Sequence, residues 1–215
     1  MKPADLTPAL PRFRDARKTD ARAVAQLIEI AGEGIAWFFW SQEAEPGQDP
    51  LEVGAARAAR DNANFSYRNA VLAERGDAVA GMLLGYRLPT PSAGDLAALA
   101  ELPALLRPLL ELEYQVPGSF YINALAVFPQ FRGHGLGGAL LSIAQERARA
   151  AGCDSLSLQV FAENERAFRF YQRHGYEVVD RRPIFAHPCY PYSTEVLLVT
   201  RSLADVEGRD LTAWA

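Results

Sequence analysis

The segment Gln130-Phe131-Arg132-Gly133-His134-Gly135-Leu136-Gly137-Gly138 is where residue type and spacing speak most directly of chemistry. A glycine-rich turn that opens a helix presents successive backbone N–H groups at the positive end of the helix dipole, the setting in which a phosphate or pyrophosphate is received. Glycines allow the close approach, Arg132 adds a fixed positive charge, and His134 offers a further donor. Gly133, Gly135 and Gly138 also satisfy G-x-G-x-x-G, so a dinucleotide site has to be weighed. Against it, four residues separate Val127 from Arg132, and the acid at the ribose spacing, Asp154, precedes the next strand instead of ending it. A P-loop is excluded, because Ala139-Leu140 follows where Lys and Ser or Thr are required. A turn that only packs a strand tightly on a helix is the plain alternative.

Asn164 and Tyr171 lie seven residues apart, which on a helix places both on one face. Asn164 is also a good N-cap for a helix from Glu165, and Tyr171 an ordinary packing aromatic beside Phe168 and Phe170. Trp37-Phe38-Phe39-Trp40, with Tyr114 and Tyr121, makes an aromatic set fit either for core and dimer packing or for an apolar or cation-accepting acceptor pocket, whose nearby Glu33, Glu43 and Glu45 suit an amine. Cys153 and Cys189, with His134, His174 and His187, form no C-x-x-C or H-E-x-x-H spacing, so no metal is expected.

The elements that must hold these residues follow from periodicity. Pro11 to Arg17 alternates like a short edge strand, and Thr19-Asp20 offers N-cap chemistry to a helix carrying Val24, Leu27, Ile28 and Ala31. Gly32 and Gly34 stop that helix. The stretch 35–64 reads as an aromatic loop and then a helix through Arg57. Tyr67 to Ala73 and Ala78 to Leu88 read as a hairpin across Glu74 to Asp77. The proline-punctuated, Leu- and Ala-rich segment 89–118 reads as short helices inserted between strands, a lid or a dimer surface. Phe120 to Phe128 is a buried strand, Leu136 to Ala151 a long helix ended by Gly152, and Ser155 to Phe161 a strand. Glu165 to His174 is a helix capped by Gly175, followed by strands at Tyr176 to Arg182 and Thr194 to Arg201. The expectation is a single α/β (α+β) domain over 1–215 with one internal βαβ unit.

The 215 residues, 49% apolar and 22% charged, suffice for a buried core. Twenty-two Lys plus Arg against 26 Asp plus Glu give a net charge of -4, which speaks against nucleic-acid or anionic-membrane binding driven by whole-chain charge. No apolar run reaches the ~18 residues of a membrane span, and Met1 to Leu10 lacks a signal peptide's apolar centre. A cytoplasmic protein is expected.

The sequence Arg132-Gly133-His134-Gly135-Leu136-Gly137 after Leu125-Ala126-Val127, with Asn164, Ala167, Tyr171, Gly175 and Tyr176 some thirty residues on, resembles the acyl-CoA-binding half of the GNAT acetyltransferase superfamily. The resemblance is close from Phe120 to Tyr176. It implies a mixed, mainly antiparallel sheet of about seven strands flanked by helices on both faces, with a splayed central strand pair. It implies acetyl-CoA as co-substrate, with Leu125, Ala126 and Val127 pairing with the pantetheine arm like an added strand. The turn from Arg132 through Gly133, His134, Gly135, Leu136 and Gly137 to Gly138 would hold the pyrophosphate. Asn164 and Ala167 would sit along the arm, and Tyr171 would protonate the departing thiolate. The resemblance further implies an N-acetyltransferase whose primary-amine acceptor, a small molecule or a peptide, attacks directly in a ternary complex.

Many members of the superfamily carry a glutamate near the start of the central strand as base. The comparable position here is Tyr121, with Asn123 two residues on and on the same face, and neither is a good base near neutral pH. Glu111, Glu113, Glu33, or a water held by Tyr121 and Asn123 are the candidates. His187 and Cys189 lie in a proline-rich connection that reads first as a turn. The missing glutamate leaves room for a second function, a catalytically silent acyl-CoA-binding sensor or partner module. Homodimerisation is common in the superfamily, and 89–118 would serve it as readily as it would serve as a lid. The segment 35–64 is expected on the acceptor side.

Overall fold

The computed structural model describes residues 10–188 and 191–204. Seven strands and seven α-helices follow one another along them: β1 (Arg12–Asp15), α1 (Ala21–Gly32), α2 (Ile35–Glu43), α3 (Pro50–Ala58), β2 (Ala70–Arg75), β3 (Ala78–Arg87), α4 (Ala93–Ala98), α5 (Arg107–Glu113), β4 (Phe120–Val127), α6 (Leu136–Ala150), β5 (Ser155–Phe161), α7 (Glu165–Arg173), β6 (Glu177–Pro183) and β7 (Glu195–Ser202). The strands form one sheet in the order β1-β2-β3-β4-β5-β7-β6. The expected mixed α/β fold with a seven-stranded, helix-flanked sheet is therefore what the chain adopts.

By its contacts the chain divides into two compact units, each assembled from separated stretches. The first takes the chain up to Tyr86, Ile122–Ala144 and Phe185–Ser193; the second takes Arg87–Tyr121, Gln145–Ile184 and the chain from Thr194.

In the first unit, Val24, Ala25, Leu27 and Ile28 of α1, Trp40 of α2 and Ala58 of α3 pack on Ala70 and Leu72, Met82 and Leu84, and Ala124 and Ala126. Period-two alternation puts these strand residues on one face of β2, β3 and β4. Val71 and Leu83, of opposite parity, are equally buried, so both faces of this part of the sheet are covered. The hairpin turns at Gly76, φ 61°, inside the connection read from sequence, with β2 running two residues further than expected, to Arg75. Asp20 occupies the N-cap of α1 but does not cap it. Its carboxylate is taken by Arg14 on β1, at 2.7 and 3.0 Å, and by the Arg17 N–H at 2.6 Å, because a charge-assisted fork outcompetes a neutral amide.

Ile35 to Glu43 is a helix, where a loop is expected from sequence. Nearly every residue from Ile35 to Trp40 is apolar, so no helical stripe stands out against a polar face. Its partner α3 meets it through Gly54, where a β-carbon would lie 2.7 Å from the Trp40 ring. Trp40 is thus core, fully enclosed, while Trp37 on the same helix is 43% exposed.

In the second unit β5 and β7 pair antiparallel from Ser155↔Ser202 to Phe161↔Val196, and among the described residues β6 pairs with β7 alone. The inserted segment holds short helices as expected, and α5 is fastened by side chains. Gln159 Nε2 donates to the Leu109 carbonyl at 2.7 Å, Arg182 pairs with Glu111 at 3.3 Å, and Gln115 donates to Asp180 at 2.5 Å.

Candidate active site

β4 is the strand on which the site is built. It pairs with β5 in parallel at two positions only, Phe120↔Leu156 and Tyr121↔Ser157. Beside these rungs the buried hydroxyls of Ser119 and Ser157 meet at 2.6 Å, and Ser119 Oγ donates to the Val116 carbonyl at 2.7 Å. On its other side β4 runs antiparallel to β3: the Leu88 N–H donates to Ser119 at one end, and the Phe128 N–H donates to Ala80 at the other.

From Ile122 onward the strand alternates. Ala124 and Ala126 enter the core, and Asn123, Leu125 and Val127 stay half-exposed. Asn123 Nδ2 donates to Tyr86 Oη at 3.2 Å, a partner that no spacing in the sequence announces. Gly81 lets β3 lie close here, since a β-carbon would stand 2.8 Å from the Ala126 carbonyl oxygen. A glycine inside a β-run is the signal that marks such an approach. Tyr121 is buried at the second rung.

The strand ends in a single 3-10 turn, Pro129–Phe131, and an extended Arg132. Arg132 folds back, its Nε donating to the Val127 carbonyl at 2.9 Å, so part of its hydrogen bonding locks the turn to the strand. His134 Nδ1 lies 3.3 Å from the Phe131 carbonyl, which requires that nitrogen to carry the proton. Gly133 and Gly135 have φ of 80° and 77°, and nothing lies within 4 Å of where their β-carbons would be. The left-handed backbone, and not crowding, selects glycine, and open space is left above the turn. The Gly135 carbonyl accepts the first α6 hydrogen bond, from Ala139 at 3.1 Å. The N–H groups of Leu136, Gly137 and Gly138 precede that ladder, as the first N–H groups of any helix do. Leu136 buries its side chain, which anchors the turn, while 132–135 face solvent. First-turn amides, the positive end of the α6 dipole and a nearby arginine in sequence are the groups that suit a pyrophosphate.

In the second unit Asn164 caps α7. Its Oδ1 accepts from the Ala167 N–H at 3.0 Å, so that amide is engaged within the cap. Two turns on, Tyr171 is 9% exposed, with the ring of Phe170 at 5.3 Å and that of Tyr176 at 5.6 Å, both edge-on. Burial, and then the neighbouring Tyr171, pushes the Tyr176 phenol well above the ordinary range. Gly175, φ 79°, ends the helix, and His174 Nδ1 donates to the Phe170 carbonyl at 2.8 Å.

The carboxylates raised as bases divide by environment. Glu111 is in the ion pair with Arg182, and Glu33 accepts from Tyr192 Oη at 3.0 Å. Glu113, the last residue of α5, is half-buried, and burial alone pushes its carboxyl up to about 7. A carboxylate poised near neutrality has the proton affinity that general-base work at neutral pH requires. His187 packs its ring edge-on to Phe38 at 4.6 Å. Cys153 is buried, and burial raises its thiol; Cys189 lies outside the described residues. Trp37 to Trp40 belong to the first unit, Tyr114 and Tyr121 to the second. Among the described residues no group of three or more His, Cys, Asp or Glu is placed to hold a metal ion, and no helix is long and apolar enough to cross a membrane.

Comparison with known proteins places this geometry. The chain is 40% identical over 62 residues to the uncharacterized N-acetyltransferase YdgE of Bacillus subtilis, a match covering 29% of this chain and 40% of that relative. The chain thus spans well under half the length of that relative. The structure of the polyamine N-acetyltransferase of Drosophila melanogaster superposes with a TM-score of 0.63 at 15% identity, over 90% of this chain and 100% of that one. That of YncA, a putative acetyltransferase from Salmonella typhimurium solved with its cofactor acetyl-CoA, gives 0.56 at 16% identity, over 94% and 99%. Such likeness concerns the fold. The family model covers residues 33–176, more than half of the chain, and so includes β4, the glycine turn, α7 and Tyr176: the chain belongs to the acetyltransferase (GNAT) family.

Proposed function

We propose that the protein moves the acetyl group of acetyl-CoA to a primary amine by direct attack in a ternary complex. The observation that carries this reading is on β4. Its ladder to β5 stops after Tyr121, and the same strand then runs into a turn built to receive an anion. A strand with unladdered backbone and an anion site at its end matches a ligand with an amide-bearing arm and a pyrophosphate.

Acetyl-CoA supplies the thioester; the chain's residues position it and move protons. Arg132, Gly133, His134, Gly135, Leu136, Gly137 and Gly138 hold the pyrophosphate. The backbone of Leu125, Ala126 and Val127 pairs with the arm, and N–H groups of this strand stabilise the charge that develops on the thioester oxygen. Asn164 orients the arm. Glu113 takes the proton from the attacking ammonium, and the amine nitrogen bonds to the carbonyl carbon. As the carbon–sulfur bond breaks, Tyr171 Oη gives its proton to the thiolate. Tyr121 and Asn123 border the acceptor. The chain passes between its two units five times, which supports treating them as one functional domain.

The test is the melting temperature with excess acetyl-CoA, CoA or NADH. A ligand at a hundred times its dissociation constant adds about 2.7 kcal/mol, roughly 5–11 °C for a chain of this size. The shift is expected with both CoA compounds, absent with NADH, lost in Gly135→Glu and kept in Gly152→Glu. The last variant carries the same left-handed strain, φ 67°, at a site outside the turn. With an amine present, Tyr171→Phe is expected to slow release of free CoA about 100-fold or more. No shift with CoA refutes the reading; a shift without turnover on any amine makes the protein a silent acyl-CoA-binding module.

A further inference from the structure

A strand at the rim of a sheet is a template for a further strand, because every second residue turns its N–H and C=O away from its one neighbour. Among the described residues β6 pairs with β7 alone, and its β-branched Val178 and Val179 are 36% and 54% exposed. Such an edge attracts another strand unless something closes it.

Register decides which groups of β6 face outward. The Ile184 N–H donates to the Thr194 carbonyl at 3.0 Å, continuing the pairing of Asp180 with Leu198 and of Arg182 with Val196. Alternation therefore turns the backbone of Asp180 and Arg182 toward β7 and that of Arg181 and Pro183 toward the open side. There the Arg181 N–H donates to Asp180 Oδ1 at 2.7 Å, and the Arg181 carbonyl accepts from Arg182 Nη1 at 2.8 Å. Pro183 has no N–H. Arg182 Nη1 also donates to Asp180 Oδ2 at 2.7 Å, so the two side chains brace each other over the edge. Ahead of this stretch the pairing with β7 shifts register between Val178 and Asp180, a bulge that interrupts the first half of the strand.

β1, at the opposite end of the strand order, uses the same device. The Ala16 N–H donates to the Ala70 carbonyl at 2.9 Å in register with the Arg14–Leu72 pair, which turns the Asp15 backbone outward. Arg14 Nη1 then covers the Asp15 carbonyl at 3.1 Å.

We propose that Asp180, Arg182 and Pro183 keep β6 from pairing with β6 of a second copy of this chain. The excluded pair is antiparallel, with a two-fold axis at Arg182. It sets Arg181 of each copy opposite Pro183 of the other and brings two Arg182 residues, like charges, directly opposite each other. Its hydrogen bonds need the Arg181 carbonyl and an N–H at position 183, the two groups that Arg182 and the proline ring withdraw.

The experiment is oxidative cross-linking of two full-length variants at equal concentration, Arg182→Cys and Arg182→Cys/Pro183→Val. Opposed residues of a non-hydrogen-bonded antiparallel pair lie about 4.5 Å apart at Cα, within disulfide reach. The double variant returns an N–H at 183 to face the carbonyl that loss of Arg182 uncovers, two hydrogen bonds across the axis. A link through position 182 is expected to form about 10-fold faster in it than in Arg182→Cys. Mass spectrometry of the linked peptides separates position 182 from Cys153 and Cys189, and near-ultraviolet circular dichroism checks the fold of each variant. A second measurement leaves the proline in place: a labelled peptide of residues 177–184 carrying Pro183→Val is expected to bind Arg182→Ala about 10-fold more tightly than wild type in fluorescence anisotropy. Equal cross-linking rates in the two folded variants, links through Cys153 or Cys189 alone, or equal peptide affinities overturn the proposal.

Discussion

Replacing Glu113 by glutamine removes a charge at nearly constant volume, and the pH at which this matters follows from burial. The carboxyl is raised from 4.5 to about 7, so the folded chain holds a proton through a window in which the unfolded chain has released it. Stability therefore falls as pH rises from 4.5 toward 7, and the penalty is complete above that. A shift of that size, at 1.36 kcal/mol per unit, is worth about 3 kcal/mol. Glutamine has no charge to desolvate. Glu113→Gln should therefore be more stable than wild type by about 3 kcal/mol at pH 8 and by under about 1 kcal/mol at pH 5. Urea denaturation of both proteins at the two pH values reads this directly. An equal gain at both, or a loss at pH 8, refutes the burial argument. The same variant should lose the acidic limb near pH 7 from its kcat/KM profile and fall in rate by about 100-fold or more. Gain of stability with loss of rate is the mark of a group held at energetic cost for its function. An unchanged rate would remove Glu113 from the mechanism and leave its burial standing.

Four further substitutions test the packing that positions the site. Gly54→Ala should destabilise by about 1 kcal/mol or more in thermal melts: the helix-propensity gain of about 1 kcal/mol is outweighed by overlap with the Trp40 ring, 2.7 Å away. Gly81→Ala should cost roughly 1–3 kcal/mol and weaken acetyl-CoA binding in the same preparation, since β3 must move away from Ala126; unchanged affinity would show that this part of β4 does not touch the ligand. Ser119→Ala should destabilise more than Ser157→Ala in urea, because Ser119 joins both the Val116 carbonyl and Ser157, and the reverse order would mean that the pair is wired differently.

What sequence made legible was set by how local the physics is. The glycine turn, the Asn164 cap and the left-handed Gly152 and Gly175 depend on neighbours within four residues, and each stands in the structure where its type predicts. The helix at Ile35–Glu43 escaped because a uniformly apolar stretch has no face to reveal its period. Asp20 has the chemistry of a cap, but Arg14, brought close by the strand it sits on, claims the carboxylate. Tyr86 beneath Asn123 is set by the register of β3 on β4, which no local signal carries. Glu113 is set apart by how far burial raises its carboxyl, a property of what α5 packs against, and so no spacing distinguishes it from Glu111.

The strand order bears on how the protein is made. Among the described residues β6 is at the sheet edge and pairs only with β7, which is synthesised after it and lies between it and β5. As the chain leaves the ribosome, β5 and β6 must each wait with an unpaired edge, β6 showing Val178 and Val179. Only emergence of Glu195 to Ser202 closes both at once. This half of the sheet therefore closes only after β7 has been made, and a nascent chain stalled before Glu195 presents two open β edges to chaperones or to another stalled chain.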